Sequence, residues 1–177
     1  MQIEKEIITN NIREFKQVVA NFFIDEIVQG FMQGLALHKL RQGAFVIGLI
    51  GDLGAGKTTF VQEVAELLGV KEVVTSPTFV VMKKYKIGIV NKSETNLNVL
   101  DVKFKTLIHI DAYRLDGVES ASALRLDELL ADPKNIIFIE WPGNIKEVLP
   151  ENYVRIEIEH KGGEGRNIKI KKFTQLA

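Results

Sequence analysis

The sequence contains no cysteine, no long apolar run and no excess charge of either sign. Without cysteine it has no disulfide, no thiolate nucleophile and no cysteine-based metal site. No run approaches the roughly 18 apolar residues of a membrane helix, and residues 1–11 hold no apolar signal segment. The 23 basic side chains balance 23 acidic ones, which argues against a large electrostatic surface for nucleic acid. We therefore expect a cytoplasmic protein with no membrane association.

Length and composition are those of one soluble domain. A chain of 177 residues can bury a sizeable core, and 46% hydrophobic with 26% charged residues is ordinary for a globular protein. No internal repeat or proline-rich linker divides the chain. We therefore predict a single domain over residues 1–177.

A phosphate-binding motif lies between an apolar strand pattern and a helix pattern in residues 45–69. Residues 51–58 fit G-x-x-x-x-G-K-[ST], whose glycines let successive backbone N–H groups point at a polyphosphate. The helix start adds further N–H donors. We expect Lys57 to reach the β- and γ-phosphates and the Thr58 hydroxyl to ligate Mg²⁺. The expected nucleotide-binding residues are Gly51, Asp52, Leu53, Gly54, Ala55, Gly56, Lys57, Thr58 and Thr59.

Two acidic residues follow buried-type strands further along the chain. Asp111 comes directly after residues 106–110, and Glu140 directly after residues 136–139. In α/β sheets, ligands bind at the carboxyl ends of strands, and Mg²⁺ takes oxygen ligands. Either acid is therefore a candidate Mg²⁺ ligand, with the other orienting or deprotonating water.

Five other residues near these acids have open interpretations. Thr78 is either a sensor of the γ-phosphate or an ordinary loop threonine. Trp141, the only tryptophan, either packs near the site or faces a partner. His109 is expected to be packed and hydrogen-bonded rather than catalytic. Tyr113 and Arg114 are candidates for supporting the site, although a structural salt bridge is the commoner role of such an arginine.

The remaining pattern alternates helices and strands, which indicates an α/β fold. We predict an edge strand at 2–8 and helix over 11–40, either one helix or two broken near Asn21, capped by Asn10 or Asn11. A strand at 79–87, a long exposed hairpin tip at 88–105 and a helix at about 118–131 follow. The last element is a hairpin at 153–173 whose Lys169, Lys171 and Lys172 form a solvated edge.

Four ordered segments resemble a known family. They are GDLGAGKTTF at 51–60, SPTF at 76–79, HIDAYRL at 109–115 and IEWPGN at 139–144, with the weaker GRNI at 165–168. Together they look like the TsaE (YjeE) family of small bacterial P-loop ATPases. The resemblance implies a three-layer P-loop NTPase sandwich, with a largely parallel sheet, antiparallel edge strands and a C-terminal hairpin.

The resemblance also implies a function. It is an ATP- and Mg²⁺-dependent ATPase, slow on its own, needed for threonylcarbamoyladenosine modification of tRNA at position 37. It would act with TsaB and TsaD, and would meet tRNA only through that complex.

Residue roles follow from the same resemblance. Glu140 becomes the second protein ligand to Mg²⁺ beside Thr58, and Asp111 becomes an essential acid near the metal. The implied catalytic residues are Lys57, Asp111 and Glu140, with Trp141 a functionally important neighbour and Arg166 a contact to the nucleotide. The family's early threonine segment is not recognisable here, and Thr9 is the candidate for it.

Three alternatives use the same P-loop. A small-molecule kinase would need an Arg-rich lid, and no such stretch is evident. A GTPase would need N-K-x-D, but residues 91–94 end in glutamate. A non-enzymatic ATP-binding scaffold would not depend on Lys57 or Glu140 for modification.

Overall fold

The computed structural model describes residues 2–23, 43–88, 104–151 and 153–173, in which seven strands form one sheet. The strands are β1 Gln2–Thr9, β2 Phe45–Ile50, β3 Met82–Lys86, β4 Thr106–Asp111, β5 Asn135–Glu140, β6 Val154–His160 and β7 Arg166–Phe173. Their order is β1-β7-β6-β2-β5-β4-β3. The four central strands are parallel, while β1, β7 and β3 pair antiparallel at the two sides.

Helices cover both faces of this sheet. The helices are α1 Ile12–Phe22, α2 Lys57–Leu67, α3 Gly117–Ala123 and α4 Leu126–Ala131, with 3-10 segments at Ala112–Arg114 and Pro142–Val148. Helices α1 and α2 pack against one apolar cluster, and α3 and α4 pack against another on the opposite face. The predicted three-layer α/β architecture, with a mostly parallel core and antiparallel edges, is confirmed. Within the described ranges, no helix is long and apolar enough to cross a membrane.

The register of β4 and β5 decides where their polar side chains lie. Asp111 pairs with Glu140, and two residues earlier His109 pairs with Phe138. Because side chains alternate along a strand, these four share one face of the sheet. Phe138 belongs to the cluster under α1 and α2. Both acids therefore lie on the face that carries the P-loop helix.

Helix α1 begins at a capping arrangement. The Asn11 side chain accepts a hydrogen bond from the Glu14 backbone N–H at 2.9 Å, and the Glu14 carboxylate accepts one from the Asn10 N–H at 2.8 Å. These bonds satisfy N–H groups that a helix start leaves free. Hydrogen bonding from the Asn10 backbone and side chain lowers the pKa of the exposed Glu14 carboxyl. Of the two predicted caps, Asn11 is the cap.

Three sequence predictions are wrong in detail. The strand predicted at 79–87 starts only at Met82, because the two N–H groups before it turn back to the Pro77 carbonyl, and Val81 has a φ of 66°. The helix predicted at 118–131 is two helices, since Arg125 between them has a left-handed φ of 52°.

The solvated lysine edge is the third error. Strand β7 lies between β1 and β6, so it is an interior strand. Lys169 and Lys171 pair with glutamates of the neighbouring strands instead; Lys171 lies 3.0 Å from Glu157. The helix predicted beyond residue 23 lies outside the described residues, as do residues 89–103 of the exposed hairpin tip predicted at 88–105. At the end of that predicted tip, Phe104 is buried, so the exposed segment does not extend to residue 104.

Replacing Asn11 with alanine should lower the free energy of unfolding by about 1 kcal/mol, since the first turn of α1 loses its side-chain acceptor. Denaturant unfolding would measure the change. Gln17→Ala is the matched control, because Gln17 is exposed in the middle of the same helix. Equal stability of Asn11→Ala and the unmodified protein would contradict this capping role.

Candidate functional site

The P-loop lies between the end of β2 and the start of α2. Gly51 follows β2 with a φ of 151°, and an added Cβ would stand 2.2 Å from the Ile158 carbonyl oxygen of β6. Gly56, the residue before α2, has a φ of 113°. A side chain at the first position would clash, and one at the second would be strained. Two motif glycines are therefore required by the local geometry.

The Lys57 side chain is folded back onto this loop. Its Nζ donates to the carbonyl oxygens of Gly51 at 2.8 Å and Asp52 at 2.9 Å. The same ammonium lies 4.6 Å from the ring centre of Trp141. The residue is only 4% exposed. Trp141 thus forms one wall around the lysine.

Burial is the main influence on this lysine's charge. It lowers the pKa of the Lys57 ammonium from its ordinary value of 10.5, because desolvation disfavours the charged form. The nearby carboxylates of Glu140, Asp111 and Asp52 act in the opposite direction. The positive charge therefore depends on the acids around it.

Glu140 connects the P-loop helix to the sheet. The Thr58 hydroxyl donates to Glu140 Oε1 at 2.8 Å, and His109 Nε2 lies 2.9 Å from the same oxygen. Glu140 is 4% exposed and His109 is fully buried. The carboxylate is thus held between the first turn of α2 and the neighbouring strand β4.

Asp111 is tied to a different part of the chain. The Thr78 hydroxyl donates to Asp111 Oδ2 at 2.5 Å, and the Tyr113 backbone N–H donates to Oδ1 at 3.0 Å. Thr78 in turn lies 2.7 Å from the Ser76 hydroxyl. The loop after α2 therefore reaches the second acid through its threonine.

The segment around Trp141 is fixed from both sides. Its backbone N–H donates to the Leu49 carbonyl at 3.2 Å, and its ring packs on Tyr113 with centres 5.3 Å apart. The Asn144 amide donates to the carbonyls of Ala112 and Tyr113 at 3.0 and 3.1 Å. The two acid-bearing segments thus form one unit. The Arg114 guanidinium instead lies over the Phe79 ring.

Arg166 reaches the P-loop from the C-terminal hairpin. Its Nε donates to the Ala55 carbonyl at 2.7 Å, and its Nη1 donates to the Gly165 carbonyl at 2.8 Å. The Thr9 hydroxyl donates to the Arg166 backbone carbonyl at 3.4 Å, and Thr9 pairs with Arg166 where β1 lies beside β7. Of these contacts, the one with Ala55 is to the loop that would hold phosphates. The contact of Arg166 to a nucleotide stays a prediction.

The residues present fit a magnesium ion. The Thr58 hydroxyl and the Glu140 carboxylate are hard oxygen donors only 2.8 Å apart, which is the donor chemistry that Mg²⁺ takes when phosphates and water complete its shell. Where the chain is described, no group of three or more His, Cys, Asp or Glu could hold a metal without such help.

Some of these contacts escaped the sequence interpretation. The spacing of His109 and Asp111 on one strand indicated a shared face, but nothing local indicated that the imidazole reaches Glu140. The bond from Arg166 to Ala55 joins residues 111 positions apart. Only the position of each segment in the sheet brings these groups together.

Comparison with known proteins bears on the same segments. The family model described as threonylcarbamoyl adenosine biosynthesis protein TsaE matches residues 26–168, more than half of the chain. The chain belongs to the TsaE family. The family takes part in threonylcarbamoyladenosine biosynthesis on tRNA, as the four ordered motifs indicated.

Individual members of the TsaE family agree with this assignment. The tRNA threonylcarbamoyladenosine biosynthesis protein TsaE of Bacillus subtilis is 36% identical over 70% of this chain and 66% of its own length. The protein of that name from Streptomyces coelicolor is 35% identical over 74% of this chain and 79% of its own. The crystal structure of Bacillus subtilis YdiB superposes with a TM-score of 0.65 at 27% identity, covering 98% of this chain and 88% of that one.

Lys57→Met should change the pH dependence of stability. The folded state of the unmodified protein releases the Lys57 proton at lower pH than the unfolded state, so its stability relative to Lys57→Met should rise as pH increases toward 10.5. Denaturant unfolding at pH 7 and at about pH 10 measures the difference.

Lys16→Met is the control, in which no rise between pH 7 and about pH 10 is expected. The hydrogen bond with Glu63 raises the pKa of Lys16, so its contribution to stability is present at neutral pH and is lost as pH rises through that raised value. Because Lys16 is half-exposed, its effect should be small. A Lys57→Met difference that falls with pH would contradict the burial of this ammonium.

Proposed function

We propose that this chain is the Mg²⁺-dependent, ATP-binding and ATP-hydrolysing subunit of an assembly that makes threonylcarbamoyladenosine at position 37 of tRNA. Its protein partners are TsaB and TsaD, and it meets tRNA through that complex. The observation that carries the proposal is the hydrogen bond from Thr58 to Glu140. It joins the P-loop to an acid at the end of an adjacent strand.

The phosphate-binding part of the site is formed by residues 51–59 and Lys57. Backbone N–H groups of the loop and of the first turn of α2 would face the phosphates. The Lys57 ammonium would move from the loop carbonyls to the terminal phosphates, exchanging neutral acceptors for charged ones. Arg166, at the start of β7, would support the loop through its hydrogen bond to the Ala55 carbonyl.

The acids would have separate roles. Thr58 and Glu140 would hold Mg²⁺, which stabilises negative charge on the phosphates when bound. Asp111 would orient a water near the terminal phosphate. Its burial, at 5% exposed, and its hydrogen bonds from Thr78 and the Tyr113 backbone support this role. Trp141, with Tyr113 packed against it, would shield the lysine side of the site from bulk water.

Lys57→Ala and Glu140→Ala should each reduce threonylcarbamoyladenosine formation at least tenfold in a reaction that requires many turnovers of TsaB–TsaD. The first removes the phosphate-binding charge, and the second removes the acid bound to Thr58. Mass spectrometry of tRNA nucleosides measures the product. Lys71→Ala is the control, since Lys71 is an exposed residue beyond α2.

Full modification activity in both variants would refute the ATPase proposal and favour the scaffold alternative. The kinase alternative makes a different prediction: phosphate from ATP would be transferred to a small molecule, and TsaB–TsaD would neither bind the chain nor stimulate hydrolysis. ATPase assays with and without the partners separate these results.

Arg166→Ala should weaken ATP binding about tenfold. A hydrogen bond from a charged donor contributes roughly 1.5–3 kcal/mol, and the variant removes the one that supports the Ala55 carbonyl. Calorimetric titration with ATP measures the effect. Lys169→Ala, on the same strand but paired with Glu159 and Glu6, is the matched control. An unchanged dissociation constant for Arg166→Ala would show that the P-loop does not need this support.

A further inference from the structure

His109 is a buried polar side chain in the middle of the sheet. It is fully buried on β4, two residues before Asp111, and its Nε2 lies 2.9 Å from Glu140 Oε1. Its other ring nitrogen, Nδ1, has no hydrogen-bond partner in the described part of the chain. The contact with Glu140 is therefore the polar contact that the structure gives this imidazole.

The direction of this hydrogen bond follows from its partner. An ionised carboxylate only accepts hydrogen bonds, so Nε2 of His109 must carry the hydrogen. The Thr58 hydroxyl donates to the same Glu140 oxygen at 2.8 Å. Two donors on Oε1, one from α2 and one from β4, fix the orientation of the carboxyl group. Oε2 is the oxygen that these two donors do not occupy.

Packing alone does not explain a histidine at this place. Burying a polar ring with one nitrogen unpaired costs stability, which an apolar side chain of similar size would avoid. Leu107, two residues earlier on its own strand, and Phe138, opposite on β5, are apolar and buried. The polar residues on this face have other partners: Asp111 accepts from Thr78 and Tyr113, and Lys83, opposite on β3, donates to Thr75. The feature that requires a donor here is the Glu140 carboxylate.

We propose that His109 is a positioning residue that holds the Glu140 carboxylate in the orientation that serves Mg²⁺. The inference rests on the proposed Mg²⁺-nucleotide function. His109 acts through Glu140 and not as a ligand itself, because its Nε2 hydrogen points at the carboxylate and Mg²⁺ takes oxygen ligands. Partners that orient a metal ligand in this way typically change metal affinity by about 10- to 100-fold when they are replaced.

The test measures how much Mg²⁺ tightens nucleotide binding. The dissociation constant of the β,γ-imido analogue of ATP is determined by calorimetry in EDTA and at saturating Mg²⁺, for the full chain and its variants. In His109→Leu, the ratio of the two constants should fall about tenfold, while the constant in EDTA stays unchanged. In His109→Gln, whose amide can donate to Glu140, most of the ratio should return.

Asn135→Leu is the matched control for loss of a buried polar group. Asn135 is 5% exposed, lies at the far end of β5, and donates to the Leu129 carbonyl. It should lower thermal stability and leave the Mg²⁺ ratio unchanged. If His109→Leu also lowers stability but keeps the ratio, His109 has a structural role and the inference is overturned. A ratio that falls in both His109→Leu and His109→Gln overturns the hydrogen-bond basis.

A second readout uses the metal-free protein. In a spectrum of ¹⁵N-labelled histidine, the signal that disappears in His109→Gln should show hydrogen on Nε2. An Nε2 that carries no hydrogen would overturn the proposal without any nucleotide present.

Failure of the proposed function gives a different result from failure of this inference. If Mg²⁺ does not tighten nucleotide binding in the unmodified chain, the Mg²⁺-nucleotide function fails and His109 has no metal ligand to position. If Mg²⁺ tightens binding equally in the unmodified chain and in His109→Leu, only the role of His109 is refuted.

Discussion

The parallel register of β4 and β5 sets the positions of Asp111 and Glu140, the two acids of the site that follow from strand ends. It places Asp111 beside Glu140 at the carboxyl ends of the strands, and the hydrogen bond from Thr58 then joins this pair to the P-loop helix. Because side chains alternate along a strand, a shift of one residue in either strand would turn an acid to the opposite face. The apolar residues that fix this register therefore also fix the chemistry of the site.

The same register concentrates charge around a buried ammonium. Burial disfavours the positive charge of Lys57, and the carboxylates of Glu140 and Asp111 favour it. Backbone carbonyls of the P-loop supply its hydrogen bonds, and Trp141 covers it. A buried charge is tolerated only with such compensation. The lysine, the acids and the tryptophan thus depend on one another, although they come from three separate segments.

Local sequence patterns predicted the structural features that depend on residues close together in the chain. The P-loop, the strands that end in Asp111 and Glu140, and the cap of α1 follow from local patterns. What escaped prediction depends on long-range placement or on unusual backbone angles. Strand β7 becomes an interior strand only because β1 adds beside it. The left-handed conformation of Arg125 contradicts the preference of a non-glycine residue, so the helix break there had no local signal.

The different attachments of the two acids give a physical reason for different roles. Glu140 is held by a buried imidazole and by the first turn of α2, both parts of the packed core, which suits a ligand that must keep a fixed position. Asp111 is held by Thr78, which lies in a surface loop whose next residue, Phe79, is 88% exposed. Such a loop can change conformation at little cost to the core, and any change would alter the hydrogen bonding of Asp111. An acid with an adjustable partner suits the handling of water better than the holding of a metal. On this argument, the sheet would hold the proposed metal ligand Glu140 in a constant position, while the loop after α2 would control Asp111.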